Sequence, residues 1–284
     1  MAIRSSQSVN TTITTGSFLL EQPNSIKEKM TKKLFLKRLL TNFLNKNASE
    51  TITDILANST NRNSIYKEMV DFYEKQLPWE LVKHRKYFSE NQRGFGEDAF
   101  HSMWYRIFNE FKPVNCLEIG VYRGQSLTLW KILANQLGYK ARIAGVSPFS
   151  SAGDSVSNYL EQLDYLDDVK KNHDVFGLDY PEFCKEYSNS QVAKTFISQT
   201  NWDLIYIDGS HEYEIVCEDW ALSVQNLAQG GLIVMDDSSL YFEYAAGPGS
   251  FAGHPGPSRV AKEIAQKELQ LLGGVGHNNI FVKK

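Results

Sequence analysis

Two uninterrupted apolar runs, Leu204–Ile207 and Leu232–Met235, each stop at aspartate. Asp208 follows the first, and the pair Asp236 and Asp237 follows the second. Strands apolar on both faces belong inside a parallel sheet covered by helices. Consecutive strands of such a sheet are expected to be neighbours, which brings the three carboxylates to one edge. Carboxylates that close repel one another, so either their pKa values rise or a cation sits among them. Oxygen ligands with open water positions suit Mg2+ or Mn2+. Adjacent strand residues point to opposite faces, so Asp236 and Asp237 can share an ion only if the chain bends after Met235.

The chain from residue 114 onward supports the same sheet. Asn115–Val121 reads as an apolar strand, Ser126–Leu137 as a helix that Gly138 ends, and Ala141–Val146 as a second strand. A helix is expected over 155–171 and a short third strand near 183–187. Trp202–Ile207 and Gly231–Met235 are strands that flank a helix over Glu214–Leu227. A helix from about 258 to 266 leads to two short strands, Leu269–Leu272 and Asn279–Val282. Gly273, Gly274 and Gly276 between them suggest a turn in a closing antiparallel hairpin. The expected fold is α/β: a Rossmann-like, doubly wound, mostly parallel seven-stranded sheet ending in an antiparallel hairpin, preceded by an N-terminal helical segment.

Ligands of these sheets sit at the carboxyl ends of the strands. After the first strand the chain reads LEIGVYRGQS, an ExGxxxG pattern formed by Glu118, Gly120 and Gly124. It is neither the GxGxxG of dinucleotide sites nor the GxxxxGK[ST] of a P-loop. A cofactor without phosphate matches better, and S-adenosylmethionine (SAM) is one. Gly120 lets the backbone approach it, Gly124 lets the helix start tightly, and Glu118 sits near its cationic amino-acid end. Tyr122, Ser126, Ser188, Asp208 and His211 complete the expected cofactor set. Ser147 belongs to it as well, at the end of the second strand, where many such sites carry an acidic residue on the ribose. A serine makes one hydrogen bond there but no bidentate, charge-assisted pair.

Bulk properties narrow the partners. A length of 284 residues allows one catalytic domain and an accessory segment, and a net charge of −3 offers no basic field for nucleic acid. No apolar run approaches the roughly 20 residues of a membrane span. The first 20 residues lack the apolar core of a secretory signal, and Cys116, Cys184 and Cys217 form no CxxC pattern. A cytoplasmic protein is expected. Residues 1–25 read as a mobile tail. Residues 26–46 form a basic amphipathic helix, with Ile26, Met30, Leu34, Leu40, Phe43 and Leu44 at helical spacing. It packs on the catalytic domain, caps its pocket or pairs with another subunit, so a homodimer or larger homo-oligomer is open; the rival reading is a helix lying on an anionic membrane surface. Two or three further helices fill 50–111, one of them around Phe100–Phe111, and Pro113 marks a boundary. The segment 26–111 is therefore an accessory, lid or oligomerisation element before the domain at 112–284.

As a set, LEIGVYRGQS, DLIYIDGSHEYE and GGLIVMDDSS resemble the metal-dependent small-molecule O-methyltransferases of the macrocin and mycinamicin type, class I enzymes that use SAM. The resemblance spans roughly residues 114–283. It implies methylation of a sugar hydroxyl of a natural product. It also implies Mg2+ held by Asp208, Asp236 and Asp237, with His211 as general base. The chemistry is consistent: an alkyl hydroxyl ionises at a pKa of roughly 16, and a bound dication lowers such a value by several units. An imidazole can then take the proton. The Gly- and Pro-rich loop from Tyr241 to Pro257 follows the metal strand and is expected to line the acceptor site. His254 on it contacts substrate or acts as a second base. Tyr122, Arg123 and His101 are further acceptor-site candidates. The rival readings are a catechol-type O-methyltransferase, a metal-dependent hydrolase or hydroxylase-associated protein, and a non-catalytic SAM-binding module.

Overall fold

The computed structural model describes residues 50–284 apart from 60, 152–159, 161, 248 and 249. The expected tail at 1–25 and amphipathic helix at 26–46 lie outside the described residues. So do much of the helix expected over 155–171 and the loop residues Pro248 and Gly249.

The apolar runs form a seven-stranded sheet: β1 (Asn115–Ile119), β2 (Arg142–Ser147), β3 (Glu182–Lys185), β4 (Trp202–Ile207), β5 (Leu227–Met235), β6 (Gln270–Val275) and β7 (Asn278–Val282). Their spatial order is β3-β2-β1-β4-β5-β7-β6. The first five are parallel, and β7 runs antiparallel between β5 and β6. The reversal of direction at β1, where the chain moves from β3 back across to β4, is the topological switch point at which such sheets bind ligands. The expected fold is the one observed.

Four local expectations change. The helix after β2 is Tyr165–Val175, starting where Asp164 accepts from the Asp167 backbone N–H, and residues 162–164 before it are not helical. Gly273 and Gly274 lie inside β6, and only Gly276 with His277 makes the turn to β7. A helix not expected from the sequence, Gln191–Ser198, is capped by Ser190 and packs Ala193 and Ile197 under the sheet. The C-terminal helix begins at Pro255 and passes through a π-helical turn, Ala261–Ala265.

Four helices among the described residues precede the sheet: Ile52–Asn58, Arg62–Lys75, Trp79–Ser89 and Asp98–Phe111. They cover one face. Met69, Leu81, Met103, Ile107 and Phe108 share a core with Cys116, Leu204, Tyr206, Leu232, Val234 and Ile280. The opposite face buries Leu117, Ile119, Ile205, Ile207, Ile233 and Met235 under the helices that follow the strands. Arg62 ties the N-terminal helices to the far side of the sheet. Its guanidinium is buried, donates to Ser239 Oγ at 2.8 Å and to Asn279 Oδ1, and lies 4.6 Å from the Phe242 ring centre. No helix among the described residues is long and apolar enough to cross a membrane.

Candidate active site

The two-residue period of a strand decides which side chains meet. Leu204 and Tyr206 of β4, and Leu232 and Val234 of β5, face the N-terminal helices. The same alternation carries that face on to Asp208 and Asp236. In β1 Cys116 faces the same way, and so does Glu118 two residues on. Sheet hydrogen bonds continue past the strand ends: Gly120 N–H donates to Val146 O, Asp208 N–H to Ile119 O and Asp236 N–H to Ile207 O, all at 2.8–2.9 Å. The loops that carry the functional residues are therefore fixed by the sheet. Gly120 has a φ of 101°, and a Cβ there would lie 2.0 Å from Asp208 O. Only glycine lets β1 and β4 turn outward side by side.

The bend after Met235 required for a shared ion occurs at Asp237, whose φ is 52°. It swings the Asp237 carboxylate back among its neighbours. Asp237 Oδ2 lies 2.9 Å from His211 Nε2 and 3.9 Å from His254 Nε2. Asp237 Oδ1 lies 3.6 Å from His277 Nε2, which is 3.3 Å from Asp236 Oδ1. On the other side of its ring, His277 Nδ1 is 3.2 Å from Phe251 O and 3.9 Å from a Glu97 carboxylate oxygen. His277 and Glu97 carry no motif in the sequence, yet both are part of the cluster. Two groups bring one ligand atom from each residue within 4.8 Å of the others: His211, Asp237 and His254, and Asp236, Asp237 and His277. Asp208 belongs to neither; its side chain hydrogen-bonds to Asp236.

Electrostatics follow from burial and crowding. Asp208 is pushed well above the usual carboxylate range by burial, then by the charges of Asp236, Asp237 and Glu118. Burial also raises Asp236, but the His277 imidazole outweighs it and holds Asp236 below its ordinary value. Crowding and burial thus favour the neutral form of Asp208, whereas His277 favours the charged form of Asp236. Asp237 is raised by burial and by Asp236, against the opposing pull of His211 and His277. Burial would lower His277, yet Asp236, Asp237 and Glu97 raise it to about 9. Glu118 is pushed up to about 8 by burial, with Ser126 donating to it and opposing the shift.

Two cavities meet here. One of about 260 Å³ is lined by Ile119, Gly120, Val146, Ser147, Ser188 and Ser210, among others. The second, of about 490 Å³, is lined by Glu118, Gly124, Ser126, Asp208, His211, Asp236, Asp237, His254 and His277, with Glu97, Phe100, His101 and Trp104 from the N-terminal helices. Gly120, Tyr122 and Gly209 line both. Ser147 donates to Val121 O at 3.0 Å, so its hydroxyl proton is already used, although its oxygen faces the first cavity. Ser188 hydrogen-bonds to the buried Asp219 behind that cavity. Arg123 is committed to Asp168 at 2.6 Å and to Asn91 O. His101 bonds to the equally buried His84, 3.0 Å away, which bonds Thr128 in turn. Both are built into the cavity wall rather than projected from it. Cys116 and Cys184 are buried and Cys217 is half-buried; none lines either cavity.

The donor set suits a cation. Glu118 Oε2 is buried without a hydrogen-bond partner, and Asp236 Oδ1 faces the His277 ring at 3.3 Å. The ion pairs of Asp236 and Asp237 among the described residues are all with histidines, not lysine or arginine.

Comparison with known proteins agrees with the fold. Residues 117–238 match a family described as a methyltransferase domain. A 165-residue stretch is 27% identical to an uncharacterized protein of Acanthamoeba polyphaga mimivirus, covering 55% of this chain and 66% of that protein, just under two thirds of its length. A Staphylococcus aureus protein named as a candidate caffeoyl-CoA O-methyltransferase superposes with a TM-score of 0.54 at 12% identity, covering 77% of this chain and 99% of that one. An O-methyltransferase of Bacillus cereus in complex with S-adenosylhomocysteine gives 0.51 at 14% identity, covering 78% and 99%. Residues 117–238 are thus similar to a methyltransferase domain, and the chain has the Rossmann-like fold of the two superposed proteins.

Proposed function

We propose that the chain transfers the methyl group of SAM to a hydroxyl of a small molecule, a sugar or polyketide-type natural product, with Mg2+ or Mn2+ at the aspartate cluster. The observation that carries this reading is the wall shared by the two cavities. Gly120, Tyr122 and Gly209 border both, so a donor in the first reaches an acceptor in the second beside Asp208, Asp236, Asp237 and His211.

Each residue then has a physical task. Glu118, buried at the junction, faces the cationic end of the donor, and a positive neighbour draws its raised pKa back down. Ser147 and Ser188 line the side where the nucleoside would lie. Asp208, Asp236 and Asp237 would hold the dication, whose contribution is to lower the pKa of the acceptor hydroxyl and neutralise the crowded carboxylates. His211 takes the proton, and Asp237, 2.9 Å away, orients its ring and stabilises the imidazolium that forms. His254, packed on His211 with ring centres 4.2 Å apart, is a second proton acceptor on the acceptor side. Walls from the N-terminal helices and from Phe251 and His254 exclude water and shape the acceptor space.

A catechol-type diol is the second reading, favoured by the aromatic lining of Phe100, Trp104, Tyr122, Tyr206 and Phe251. The test is transfer of labelled methyl from SAM to a panel of sugar hydroxyls and catechols, with and without a chelator. Chelator-sensitive transfer to oxygen supports the proposal. Transfer unaffected by chelation contradicts the cation's role, and exclusive use of catechols selects the second reading.

A further inference from the structure

We propose that His211, His254 and Asp237 form a second cation site, sharing Asp237 with the hard-ion site beside it, that takes a borderline divalent ion of the zinc or cobalt class. The basis is the way Asp237 is shared. Its Oδ1 faces His277 and Asp236, while its Oδ2 faces the other way, toward His211 Nε2 at 2.9 Å and His254 Nε2 at 3.9 Å. One ligand atom from each of the three residues lies within 4.8 Å of the others. Zinc bonds of 2.0–2.1 Å in tetrahedral array place ligand atoms about 3.3 Å apart. The two distances to Asp237 Oδ2, 2.9 and 3.9 Å, bracket that spacing.

The backbone already holds the three residues together. His254 N–H donates to Asp237 O at 2.8 Å, and Ser258 Oγ donates to the same oxygen at 3.2 Å. A Cβ on Gly253 would lie 2.1 Å from Asp237 O, and one on Gly256 would lie 2.0 Å from His211 O. The loops therefore pack backbone to backbone, and the imidazoles are presented from fixed positions. The side chains of His211, Asp237 and His254 are 18%, 12% and 29% exposed, so an ion can enter from the larger cavity and keep a water in its fourth position. Two imidazoles and one carboxylate select zinc, cobalt or nickel, whereas Mg2+ prefers oxygen ligands and retains its waters.

A consequence rests on the proposed role of His211 as base. An ion bound to its Nε2 displaces the contact with Asp237 that orients the ring as base, and its charge makes the remaining ring nitrogen a weaker proton acceptor. Zinc is then an inhibitor of the same reaction that Mg2+ supports.

The test is titration of Co2+ into the metal-free full chain, read by visible ligand-field absorption, with Zn2+ as competitor. One equivalent of Co2+ should give the intense bands of a four- or five-coordinate ion, abolished by Zn2+. His254→Ala and His211→Asn should each weaken Co2+ binding by about tenfold or more, with unchanged melting temperature, while the thermal shift caused by Mg2+ persists in His254→Ala. Absence of such bands in the wild type, or affinities of both variants within about twofold of it, would overturn the site. Failure of SAM to bind sinks the proposed function but leaves the Co2+ result standing, so the two are separable.

Discussion

His211 Nε2 stands 2.9 Å from Asp237 Oδ2, although 26 residues separate them in sequence. The left-handed conformation of Asp237 creates this contact, because it turns the second of two adjacent carboxylates back toward the loop after β4. An imidazole held by a carboxylate is oriented and more basic. His211→Gln should therefore lower kcat by about 10²–10⁴-fold while leaving the affinity for SAM nearly unchanged. Methyl-transfer kinetics and calorimetric titration with SAM measure the two halves of this expectation. A variant with full turnover removes His211 from the chemistry.

Asp208 presents a different test. Burial and its acidic neighbours push its pKa well up, and a bound dication would reverse that shift. Asp208→Asn keeps the shape and removes the charge. Turnover should fall by at least about 10²-fold, and the Mg2+-induced rise in melting temperature should shrink. Retained turnover in Asp208→Asn contradicts the cation's role.

Asp219 is buried away from the carboxylate cluster, and burial raises its pKa from the usual 3.8 to about 7. The folded state therefore holds a proton there that the unfolded chain has lost. Stability from this group is full below its unfolded value and declines as pH rises through the window from about 4 to 7. Asp219→Asn removes the decline. Urea midpoints measured from pH 5 to pH 8 should show the variant gaining on the wild type as pH rises. A constant difference across that range contradicts the assignment.

Gly120 is where β1 and β4 approach most closely. Gly120→Ala puts a Cβ 2.0 Å from Asp208 O at a backbone angle that L-residues avoid. A loss of about 1–3 kcal/mol is expected in denaturant unfolding from the strained backbone alone, with weakened SAM binding because the wall common to the two cavities shifts. A fully stable variant with normal affinity would show that the turn relaxes without cost.

Much of the sheet was legible because its strands are continuous apolar runs that end sharply: Trp202–Ile207 matches the expectation residue for residue. The strand ends carry the aspartates, so their meeting followed from the adjacency of β4 and β5. His277 was not legible, since it sits 40 residues beyond Asp237 in a turn without motif. The signal was topological. β7 runs antiparallel to β5 and pairs Asn279 with Met235, so the residue two before Asn279 arrives opposite Asp237, the residue two after Met235. Glu97 was hidden for a similar reason, because helix packing rather than local pattern brings it to the site. Gly273 and Gly274 misled because glycine pairs favour turns. Here β6 crosses the N-terminal helices so closely that a Cβ on Gly274 would meet the Arg62 guanidinium at 2.0 Å.

The central claim is that the two joined cavities hold SAM beside the aspartate cluster, and a thermal melt of the full chain tests it most directly. SAM at a hundredfold excess over its Kd should raise the melting temperature by about 5–10 °C, with a further rise on adding Mg2+ that Asp208→Asn diminishes. No shift with SAM, alone or with Mg2+, would contradict it.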